Sequence, residues 1–92
     1  MDFVEVKNKK GTSNKLPPTG YDSWLDFWEK KKGFKASTCE VLLCKNTAKV
    51  GGHIIKAGEG GKEYIAPLCY ECNNKPDNEV FKIYENDLVP VK

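Results

Sequence analysis

Cys39-Glu40-Val41-Leu42-Leu43-Cys44 and, with 24 residues between Cys44 and Cys69, Leu68-Cys69-Tyr70-Glu71-Cys72-Asn73 are the stretches that decide how this 92-residue chain is held together. Two pairs of thiolates supply the donors of a closed tetrahedral metal site, each pair on a tightly bent loop. The two-residue gap Tyr70-Glu71 lets Cys69 and Cys72 converge on one ion. The four-residue gap between Cys39 and Cys44 is longer but still within the range of a zinc pair. Zn2+ held by Cys39, Cys44, Cys69 and Cys72 is the expectation; disulfides and free structural thiols are the alternatives. Four cysteines leave no open position for water, so such a site is structural.

A staple matters at this length. A chain of 92 residues buries a modest core, and here 30% of residues are charged and only 39% hydrophobic. No run approaches the ~18 apolar residues of a membrane span. Met1 to Lys15 is polar and lysine-rich rather than apolar, so a cytoplasmic location and no membrane partner are expected. A reducing compartment in turn favours metal over disulfides.

Net charge is +2, unevenly spread: residues 1–56 carry 11 Lys and 6 acids, residues 57–92 carry 4 Lys and 7 acids. A basic first half is compatible with a phosphate-facing side, or with ordinary solvated lysines. All fifteen basic residues are lysine. Lysine neutralises phosphate as a point charge, whereas arginine forks onto guanine, so backbone contact is favoured over reading of duplex sequence.

Outward from the cysteines, the chain reads as α+β. Residues 1–20 form a flexible basic arm, with a possible short strand at Phe3-Val4-Glu5-Val6 and a stop at Pro17-Pro18-Thr19-Gly20; residues 21–92 form a single domain. Tyr21–Lys32 reads as a helix, capped by Asp22 or Ser23 and ended by Gly33. Trp24, Phe27 and Trp28 share one of its faces, which packs on the metal module or docks a protein partner. Thr47–Lys56 and Glu63–Leu68 read as a hairpin around the glycine turn 57–61, with Pro67 marking its end. Cys69–Lys75 is a short helical turn, and Val80–Tyr84 and Leu88–Val91 are further strand candidates.

His53 is the sole histidine. As a fifth candidate ligand it is not expected to bind the zinc; it is a packed or surface residue, or a general base titrating near neutrality. The order of cysteine pair, Gly52-His53-Ile54, glycine turn, then Leu68-Cys69-Tyr70-Glu71-Cys72-Asn73 resembles the zinc-stapled HNH endonuclease module, a treble-clef or ββα-metal arrangement. The resemblance covers about residues 38–76. It implies a treble-clef-like scaffold of β-hairpin plus short helix, here with an amphipathic helix before it. It implies His53 as the base that activates water and Asn73 as ligand or orienter for Mg2+ or Mn2+. Gly52 stands where the family has an acid, and Tyr64 about where a middle asparagine falls. The expectation is therefore a zinc-binding module that binds DNA or RNA through phosphates without cleaving it. The alternatives are an active nuclease and a protein-interaction module using the Trp24/Phe27/Trp28 face.

Overall fold

The structure, a computed structural model, describes residues 2–9, 11, 15–59 and 61–91. Helix α1 (Trp24–Lys32) starts where Ser23, in extended backbone, accepts a hydrogen bond from the Asp26 amide through its side chain, and it stops at Gly33, whose φ of 87° suits the left-handed cap. Asp26 in the first turn and Lys30, Lys31 and Lys32 in the last complement the helix dipole. Strands β2 (Val50–Lys56) and β3 (Tyr64–Leu68) form the expected hairpin, pairing Val50 with Leu68 and Ile54 with Tyr64. Pro67 lies inside β3, opposite Gly51, rather than beyond the strand's end. Helix α2 (Tyr70–Asn73) follows directly, and β4 (Phe81–Tyr84) and β5 (Val89–Pro90) complete the chain.

The first strand corrects the reading of residues 1–20 as an arm. β1 (Phe3–Asn8) is a central strand of the antiparallel sheet, whose order is β4-β1-β2-β3-β5. It pairs with β4 through Phe3–Val6 and with β2 through Val6–Asn8. Of that arm, Met1, Lys10 and residues 12–14 lie outside the described residues. The sheet curls, and the first cysteine loop crosses between its ends: Glu40 N–H donates to Pro67 O at 3.0 Å and Leu42 N–H to Lys82 O at 2.9 Å, with Val41 bridged to Ile83.

Alternation along the strands makes two cores. Val6, Ile54, Ala66, Leu68 and Ile83 face inward with the cysteines, while Ile65 and Val89 face α1 and bury Phe27 and Trp28. Each such side chain, fully buried, contributes roughly 1.5–3 kcal/mol. Trp28 is 1% exposed, and its Nε1–H donates to Asp87 O at 2.7 Å. The aromatic face of α1 is therefore packed against the sheet.

Two adjacent glycines let these layers approach. A Cβ on Gly51 would lie 2.6 Å from Leu25 N and from the Trp24 carbonyl carbon; one on Gly52 would strike the Leu68 side chain and come within 2.8 Å of Asn73 Oδ1. Gly51 thus gives room to α1 and Gly52 to α2, on opposite faces of β2.

Candidate metal centre

The four cysteines are free thiols whose sulfurs all lie within 4.8 Å of one another. Cys44 Sγ is 3.8 Å from Cys69 Sγ and 3.9 Å from Cys72 Sγ. A tetrahedron with metal–sulfur bonds of ~2.3 Å has edges of about 3.8 Å, so these spacings fit four thiolates around one ion. Cys39, Cys69 and Cys72 are buried and Cys44 is half-buried. The sequence brought all four together as expected, and they suggest a metal site.

Local structure aims each sulfur. Cys69 is the N-cap of α2, and its Sγ accepts from Cys72 N–H at 3.4 Å. Asn46 Nδ2 donates to the same sulfur at 3.6 Å and to Glu71 Oε1 at 3.0 Å. Burial opposes ionisation of Cys69, but these donors and the neighbouring thiols outweigh it and pull the thiol down to about 6. Burial pushes Cys39 and Cys72 up, and for Cys72 the adjacent thiols act the same way. A cation held by all four sulfurs would displace the protons that the resisting thiols keep. Beside it, burial and then Asp87 push the Glu40 carboxyl up to about 8.

The second cysteine loop is clamped from the far end of the sequence. Asn8 Nδ2 donates to the carbonyls of Cys72, Asn73 and Lys75 at 3.0, 3.3 and 3.1 Å. Those carbonyls lie at the end of a four-residue helix, where helical partners run out; Cys72 O also takes the Lys75 N–H at 3.3 Å. Nothing in the sequence marked Asn8; a polar residue at a strand end carries no such signal.

His53 and Asn73 are not brought together. Neighbouring residues on a strand point to opposite faces, and Gly52 already faces Asn73. His53 accordingly faces α1. It is 6% exposed, packs edge-to-face on Trp24 with ring centroids 4.5 Å apart, and its Nε2 has no hydrogen-bond partner among the described residues. Burial, partly offset by Glu63, lowers its basicity.

Around the cysteine loops the charges are unevenly neutralised. Lys15, Lys30, Lys32, Lys35, Lys56 and Lys75 each sit within 4.0 Å of a carboxylate. Lys45 and Lys49 are exposed and make no ion pair among the described residues. Lys75 pairs with Glu79 at 3.0 Å. Leu43, beside Cys44, holds φ at 69° and is 88% exposed. Among the described residues no helix is long and apolar enough to cross a membrane. No family model, curated protein or solved structure matches this chain, so its functional reading rests on the cysteine cluster and its surroundings.

Proposed function

We propose that this is a zinc-stapled module, HNH-like in plan, that binds DNA or RNA through phosphate contacts without cutting it. Four cysteine sulfurs at tetrahedral-edge spacing suit Zn2+, with no position left for substrate or water. The hairpin β2–β3 running into α2, with one cysteine pair at that junction and the other on a preceding loop, is the arrangement a treble-clef-like scaffold has. Phosphate binding is supported by the placement of exposed Lys45 and Lys49 beside the cysteine loops with no acid partner among the described residues, a lack that Lys7, Lys31, Lys62 and Lys82 share elsewhere on the surface. Absence of cleavage is supported by the sheet that separates His53 from Asn73, because a base and a metal-ligating residue must face the same phosphorus.

Fluorescence anisotropy with labelled DNA and RNA strands over a salt series tests this reading. Affinity falls steeply with salt as counterions are released, and each of Lys45→Gln and Lys49→Gln lowers the log–log slope by about 1. No binding at low salt overturns the proposal. So does Mg2+- or Mn2+-dependent cleavage that disappears in His53→Ala.

A further inference from the structure

We infer that the bound strand is single-stranded and places one unstacked base on Tyr70, in a recess of about 330 Å3 lined by Asn46, Thr47, Lys49, Cys69, Tyr70 and Glu71. The inference rests on the nucleic-acid reading above and adds to it the form of the strand and the kind of base.

Tyr70 stands apart from the other rings. It is 60% exposed, and its side chain has neither a ring contact nor a hydrogen bond among the described residues. The other exposed rings lean on neighbours: Phe3 on Tyr84 at 5.8 Å and Phe34 on Trp28 at 5.4 Å. A solvated aromatic face beside a lysine is the pairing that single strands use, stacking a base on the ring and laying phosphate along the charge. A base inside a duplex is stacked on both sides and cannot reach such a ring.

The recess is also polarised. Lys49 lines it, and Lys45 is exposed beside Cys44 and Asn46. Glu71 opposes phosphate, so the anionic backbone belongs on the lysine side and the base edge on the carboxylate side. Glu71 Oε1 already takes the Asn46 amide at 3.0 Å, while its other oxygen has no hydrogen bond among the described residues. A carboxylate oxygen accepts from an exocyclic amino group and repels a carbonyl. Cytosine, adenine and guanine offer that group on the pairing edge; thymine and uracil offer carbonyls on either side of a single ring N–H.

The test titrates the full chain, with its metal bound, into labelled oligo-dC, oligo-dA, oligo-dT, an abasic strand of equal length and a duplex. Oligo-dC and oligo-dA should bind more tightly than oligo-dT, and all three more tightly than the abasic strand or the duplex. Tyr70→Ala should lower affinity for oligo-dC about tenfold, by loss of one stack, and leave the abasic strand unchanged. Tyr70→Phe should retain binding, and Glu71→Gln should erase the discrimination against oligo-dT. Metal content and circular dichroism of each variant establish that it is folded. Equal affinity for duplex and single strand, or Tyr70→Ala binding oligo-dC like the parent, overturns this inference and leaves the phosphate reading standing. Failure of every strand to bind overturns that earlier reading instead.

Discussion

Leu43 holds a left-handed backbone at φ 69° while its side chain stays 88% exposed. That conformation costs an L-residue roughly 1–2 kcal/mol, and the exposed side chain recovers little of it by burial. Glycine removes the clash but adds chain entropy worth roughly 0.5–1 kcal/mol. Leu43→Gly should therefore stabilise the metal-bound protein by about 0.5–1 kcal/mol, read as a higher Tm in thermal melts. A lower Tm would mean that the leucine makes a stabilising contact of its own. His53 makes the opposite kind of contribution. Burial depresses its basicity, so the folded state favours the neutral ring. Its stabilisation is complete above the ordinary imidazole value of about 6.5 and is lost as pH falls through that value towards the lower folded one. Denaturant melts between neutral and mildly acidic pH should show this loss in the parent. They should show less of it in His53→Gln, which has no proton to gain; identical pH profiles would remove His53 as the cause.

At the scale of elements, the junction of β1 with α2 is where a single side chain joins distant segments. Asn8→Ala strips one donor group from three carbonyls at the end of α2. It should cost about 1–3 kcal/mol of stability and weaken metal binding at the cysteine cluster about tenfold, measured by competition with a chelating dye. Unchanged metal affinity would confine Asn8 to a structural role in the sheet. This junction also shows what the sequence could and could not convey. Helix α1 was legible to its caps, because Ser23, Asp26 and Gly33 act within one turn of their own backbone. The hairpin was legible because its turn is local. The cysteine quartet was legible because loop bending is encoded in short spacings. β1 was legible only as a possible short strand at Phe3–Val6, without its place inside the sheet. Its partners β2 and β4 lie some fifty and eighty residues away, and its alternation is interrupted by Phe3 facing outward and Asn8 facing inward. The face taken by His53 depends on hairpin register, and a one-residue slip would turn it towards Asn73. Sequence spacing does not fix that register; the two glycines do, through the close approaches they permit on either side.

For the whole molecule, the radius of gyration of 11.9 Å matches the ~12 Å expected of a folded chain of this length. Two small cores on either side of one sheet supply little stability in reserve, and the first cysteine loop is what spans the ends of the curl. Removing the metal leaves buried thiols with no ligand and frees that loop. Chelation at neutral pH should therefore unfold the protein, with loss of the near-ultraviolet signal of Trp28. Small-angle scattering should show the radius rising towards the ~30 Å of an unfolded chain. Retention of a compact chain after complete metal removal would show that the cores suffice.

The central place of β1 has a consequence in time. Its outer neighbour β4 begins at Phe81, whereas the last of the four cysteines is Cys72. During synthesis every sulfur is therefore made before the sheet can be completed. A nascent chain could then capture an ion at the cysteine cluster while the strand at its own beginning still waits for a neighbour, ahead of closure of the fold. The Cys72 loop would then already be in place as the surface on which Asn8, and with it β1, comes to rest.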